Sequence, residues 1–132
     1  MMDLERYKSI PYKEHGRDFS GVDCWGLARL IRYHESGILM PSWSAEYETS
    51  NKAPYSELIG KEHCLAKWRQ LERPQVLAVA LFEIAGFFHV GTVLDRRGRE
   101  MIHILKDTSV TIEPLRSIEW RDRFRGWWLY GE

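Results

Sequence analysis

Cysteine is scarce in this sequence: Cys24 and Cys64, 40 positions apart, are the thiols of a 132-residue chain. Their spacing matches no paired-ligand zinc motif, and two cysteines do not make a disulfide framework. Excess charge of one sign is missing too, with 19 basic residues against 19 acidic ones. Domains held on nucleic acid by bulk electrostatics carry a clear positive surplus, so nucleic acid is not an expected partner. No stretch approaches the ~20 apolar residues of a membrane-spanning helix. The start, MMDLERYKSIPYKEHGRDF, lacks the apolar run of a signal peptide. The expectation is cytoplasmic synthesis without a leader, which leaves the place of action open. Repeats and low-complexity tracts are also lacking.

What is present is ordinary globular composition, 44% hydrophobic and 29% charged. A chain this long is expected to form one compact domain over residues 1–132, with enough buried surface for its own core. Asp3 to Ile10 reads as a marginal helix stopped by Pro11, and Tyr12 to Gly21 as a polar loop. From Cys24 to Tyr33, apolar residues at 24, 27, 28, 30 and 31 predict a helix with one buried face. Asp23 is placed to cap its start and Gly37 to end it. Residues 37–56 read as an extended connection, and Tyr55 to Gln70 as a second helix with Leu58, Ile59, Leu65 and Trp68 on its apolar side.

Beyond Pro74 the pattern turns to strands: Gln75 to Ile84, Phe87 to Asp95, Met101 to Leu105, Val110 to Ile112, and a closing Phe124 to Tyr130. Helices first and an antiparallel meander after them make an α+β layout, since parallel pairing would require crossover helices.

Cys24 stands where loop becomes helix. The N–H groups and positive dipole end of a helix favour a thiolate and can receive the oxyanion of a tetrahedral intermediate. Asp23 opposes the thiolate unless its side chain turns away to cap the helix. Gly26 is expected to keep the first turn slim and give a substrate room. By position alone, a cysteine on an apolar helix face is more often packing than chemistry.

Its neighbours alter that balance. Gly21-Val22-Asp23-Cys24-Trp25-Gly26-Leu27 closely resembles the nucleophile motif of the NlpC/P60 peptidases, an Asp-Cys pair followed by Gly-Leu. Tyr12, in the Pro11-Tyr12 pair, resembles the family's upstream tyrosine. His89-Val90-Gly91 resembles its histidine motif, and His103, after Ile102, its third polar position. The four motifs occur in the family's order and span most of the chain.

The resemblance implies a papain-like fold, with the Cys24 helix packed on a small antiparallel sheet of about four to six strands carrying both histidines. It implies Cys24 as nucleophile, His89 as general base, His103 holding the His89 imidazole in the useful tautomer, and Tyr12 beside the oxyanion. It further implies hydrolysis of peptidoglycan stem peptides, at the bond between D-glutamate and a diamino acid, with no cofactor and no metal. Competing expectations are a tail-assembly scaffold with little turnover, and a related amidase or acyltransferase.

Two positions depart from the family pattern. Leu77-Ala78 stands where the family has Gly-Asp before the histidine strand, and Phe88 where a small polar residue often precedes the histidine. Trp25, where serine is common, resembles the phage tail-assembly branch and suggests tail proteins as partners. His15, His34 and His63 have no matched partners and read as surface or helix-face residues, and Cys64 as packing. The basic and aromatic stretch from Trp120 to Trp128 is expected to supply core aromatics rather than a base-stacking surface.

Overall fold

The computed structural model describes residues 2–42 and 68–131. A short helix, α1 (Glu5–Lys8), leads into a two-residue hairpin of β1 (Arg17–Asp18) and β2 (Gly21–Val22), where the sequence suggests only a loop. Then comes α2, Cys24–Ser36. Its ends follow local chemistry: the Asp23 carboxylate accepts the N–H of Gly26, and Gly37 takes the left-handed conformation at φ 75°.

The sheet has six strands: β3 (Trp68–Leu71), β4 (Val79–Ile84), β5 (Phe87–Val93), β6 (Glu100–His103), β7 (Thr111–Pro114) and β8 (Phe124–Tyr130). They run antiparallel in the order β3-β8-β4-β5-β6-β7. The fold is thus α+β, with a helix on a six-stranded antiparallel sheet of the papain-like kind. The meander from β4 to β7 follows the sequence expectation, whereas β8 returns to pair between β3 and β4.

The expected helix from Tyr55 to Gln70 needs correction at its end. Trp68, Arg69 and Gln70 belong to β3, paired with β8, and residues 55–67 lie outside the described residues. Trp68 is drawn into the sheet because its ring packs on Trp25 and Tyr130, at centroid distances of 5.8 and 5.1 Å. Helical spacing lost to burial against partners distant in sequence.

The strand expected from Gln75 begins at Val79 instead. Leu77 just before it has φ 73°, a left-handed conformation that costs a side-chain-bearing residue about 1–2 kcal/mol. This is where the family pattern has glycine. The Leu77 N–H donates to the Val93 carbonyl, so pairing with the end of β5 holds the unfavourable angle.

One sheet face receives α2. Trp25 and Ala28 pack with Val79, Leu81 and Val90, while Leu27 and Ile31 meet Ile102 and Ile104. The opposite face buries Ala80, Phe82, Val93 and Met101 under Leu115 and Trp120. Each fully buried large side chain of this kind contributes roughly 1.5–3 kcal/mol. Among the described residues, no helix is long and apolar enough to cross a membrane.

Candidate active site

Cys24 is the first residue of α2, and the loop before it is tied down by Asp23. This fully buried carboxylate accepts from the Gly26 N–H at 2.8 Å, from Arg17 Nη1 at 2.9 Å and from the His15 N–H at 3.0 Å. Asp23 is therefore turned into the loop and helix start. Gly26 has a structural role that the sequence does not show: a Cβ there would come within 1.9 Å of the Gly16 carbonyl oxygen. Glycine is required because the backbone at Gly16 runs directly against the helix.

The two histidines come from adjacent strands. Asp95 closes the β5–β6 turn by accepting the N–H groups of Arg97, Arg99 and Glu100. The hairpin brings His89 Nε2 to 2.7 Å from His103 Nδ1, with both rings buried. Gly91, the last residue of the His-Val-Gly motif, makes room for this. A Cβ on it would lie 2.7 Å from Met101 Sδ and 3.4 Å from His103 Cβ.

Two further contacts were not anticipated from sequence. His103 Nε2 lies 2.6 Å from Glu113 Oε2 on β7. The Trp120 ring stacks on His89 at 5.3 Å and meets His103 edge-on at 5.2 Å, closing the pair from water. Alternation along β7 exposes Glu113 as a candidate only once the register Met101↔Glu113 is known.

By alternation, His89 shares the sheet face of Phe82 and Trp120, whereas α2 lies on the other face. Cys24 and His89 nevertheless line one cavity of about 310 Å³, together with Tyr12, Ile84, Phe87, Phe88, Ile104, Leu105 and Lys106. The end of β4, the start of β5 and the residues after β6 all belong to one end of the sheet, and the head of α2 meets them there. Tyr12 is placed by a parallel bridge to Val22, two residues before the cysteine. Phe88 walls the cavity, so the departure before the histidine makes it more apolar. Among the described residues, Lys106 is its one charged lining residue besides the titratable groups of the site.

His15 is half-buried and His34 exposed, away from this cavity, while His63 and Cys64 lie outside the described residues. Among the described residues, no group of three or more His, Cys, Asp or Glu is arranged to hold a metal.

Burial, reinforced by His103, holds the His89 imidazole well below its ordinary 6.5. Burial also lowers His103, against an upward pull from Glu113. Both shifts favour neutral rings in the folded chain. The unfolded chain binds these protons near pH 6.5, so the stability they represent is complete above that pH and lost as pH falls below it. The expected slope is up to about 1.4 kcal/mol per pH unit for each histidine. Urea unfolding midpoints should drop between pH 6.5 and 5, with a shallower drop in His103→Asn. A flat wild-type profile over that range would contradict the assignment.

Residues 9–128 match the model of the NlpC/P60 family. Among solved structures, a protein from Staphylococcus aureus subsp. aureus Mu50, described as similar to a lipoprotein of the NLP/P60 family, superposes with a TM-score of 0.64 at 20% identity, covering 98% of this chain and 39% of that one. An NlpC/P60 family protein from Bacillus cereus ATCC 10987 gives 0.66 at 22% identity, covering 94% and 36%. The NlpC/p60 domain of the peptidoglycan hydrolase SagA gives 0.52 at 20% identity, covering 86% and 84%. At these identities the likeness is one of fold, and the chain spans well under half the length of the first two. No curated protein matches it. None of the three structures is described as a phage-tail protein, and Trp25 has a packing role of its own, fully buried with its indole N–H on the Pro41 carbonyl.

Proposed function

Since the chain belongs to the NlpC/P60 family, we propose that it is a cysteine peptidase acting on peptidoglycan stem peptides, at the amide between D-glutamate and the diamino acid. The observation that carries this reading is one cavity shared by Cys24, at the head of a helix, and His89, whose far nitrogen is tied to His103. With Nε2 engaged, Nδ1 is the nitrogen left to His89 for proton transfer.

In the proposed reaction, His89 Nδ1 takes the thiol proton as Cys24 Sγ adds to the amide carbonyl. N–H groups at the head of α2 and the Tyr12 hydroxyl stabilise the oxyanion. The same proton passes to the leaving amine, the C–N bond breaks, and a thioester remains. Water, deprotonated by His89, then releases the acid and restores the thiol. Thiol and imidazole supply nucleophile and base, so no step calls for a metal or cofactor.

The cavity is about the size that holds a small ligand. Its walls of Ile84, Phe87, Phe88, Ile104 and Leu105 also suit an amide bearing an apolar group, which keeps an amidase or acyltransferase as the second reading. Incubation with defined muropeptides, followed by mass spectrometry, separates the two. The first reading expects products cut after D-glutamate. Intact muropeptides alongside turnover of acyl amides would replace it with the second. Intact substrates of both kinds, and no selective alkylation of Cys24 near neutral pH, would leave a tail-assembly or other scaffold.

A further inference from the structure

We propose that Glu113 is a positioning residue whose carboxylate sets the tautomers of both histidines, and through them gives His89 a free lone pair facing the nucleophile. The inference rests on the peptidase reading for its purpose, but its geometry stands apart from it.

The chain of contacts is Glu113 Oε2 to His103 Nε2 at 2.6 Å, then His103 Nδ1 to His89 Nε2 at 2.7 Å. A carboxylate has only acceptors to offer, so His103 must carry its proton on Nε2 and donate it there. A neutral His103 then presents a bare Nδ1, which can only accept. His89 must therefore donate from Nε2, and its Nδ1 is left unprotonated, the state a general base requires. Reversed, the order is unproductive: His103 protonated on Nδ1 would donate to His89 Nε2, place the His89 proton on Nδ1 and block attack on the thiol proton.

Two histidines in contact do not choose between these arrangements by themselves, because each is a complete hydrogen-bond chain. The acceptor-only group at the end makes the choice. Burial supports the neutral form of both rings; His103 further lowers His89, while Glu113 pulls His103 upward without overcoming burial. Trp120 covers the pair without competing for these nitrogens, since its contacts are through the ring.

Position agrees with the role. Glu113 stands directly across from Met101 and diagonally from His103 on the neighbouring strand, within side-chain reach. Its side chain is 27% exposed, against 1% for His103, so it joins the buried pair from the rim. When His89 takes the thiol proton, the positive charge on its ring gains a hydrogen-bonded path toward this carboxylate. Removing the carboxylate should therefore lower the rate of the chemical step more than it affects substrate binding.

The test is imidazole ¹⁵N NMR on the full chain above pH 7, in wild type, Glu113→Gln and Glu113→Leu, with amide spectra confirming the fold. In the wild type, both rings should be protonated on Nε2 with bare Nδ1. In both variants, His103 and His89 should populate the Nδ1–H form, and alkylation of Cys24 by iodoacetamide should slow about tenfold to a hundredfold, the scale of one lost charge-assisted hydrogen bond. A wild-type His103 protonated on Nδ1, or a His89 that stays wholly Nε2–H in both variants, would overturn the proposal. The tautomer readout needs no turnover. It can succeed in a protein that cleaves no muropeptide, and it can fail in one that does.

Discussion

Replacing Cys24 with alanine should reduce cleavage of defined muropeptides by about 10⁴-fold or more, the scale seen when a covalent nucleophile is removed and only binding and oxyanion contacts remain. The fold should survive, since Cys24 is a small side chain at the rim of a core built on Trp25, Leu81 and Val90. Unfolding midpoints of the two proteins should lie close together, which separates lost chemistry from lost structure. His89→Ala should approach the same floor, and the double variant should lose little beyond either single one, as expected of a proposed nucleophile and base that act as a unit. Cleavage by Cys24→Ala at even a tenth of the wild-type rate would remove the cysteine from the mechanism.

The second large effect is on stability. Asp23→Ala removes a fully buried carboxylate that holds the helix N-terminus, Arg17 and the His15 N–H together. Capping alone is worth about 0.5–2 kcal/mol. Breaking a buried ion pair by deleting one member costs about 3–5 kcal/mol, because the other charge is left behind. Arg17 keeps the carbonyls of Gly16 and Ser42 as partners, which holds the total near that range rather than above it.

For a chain of this size the loss corresponds to a thermal midpoint lower by on the order of 10–20 °C. Asp23→Asn retains a cap acceptor and should lose less. His15, held at φ 62° with its N–H on Asp23, should relax in the alanine variant, and the loop that packs on Gly26 with it. The activity that remains should fall as well, because Cys24 is aimed by this same junction. A midpoint within a few degrees of wild type would show that the network contributes far less than its burial implies.

Much of the candidate site is legible in the sequence because its signals are local. A cap followed by apolar residues at helical spacing marks α2, and its glycine end is set by the same short-range chemistry. Motif and order single out Cys24, Tyr12, His89 and His103; the first three line one cavity, and His103 is bonded to His89. Local reading failed where distant partners decide. Trp68 sits at helical spacing yet pairs with β8 because Trp25 and Tyr130 bury it. Nor does the local sequence around Gly26 show the backbone crossing with Gly16 that demands glycine there.

By itself, the amino-acid order determined the head of α2 and its cysteine, the strand meander and the α+β class, all set by caps, periodicity and turns within a few residues. Only the tertiary structure decided that β8 lies inside the sheet, that Trp120 covers the histidine pair and that Glu113 ends their hydrogen-bond chain. These depend on strand register and on close packing between segments far apart in sequence. A one-residue shift of β7 would turn Glu113 to the other face, and no short stretch of the chain records that register.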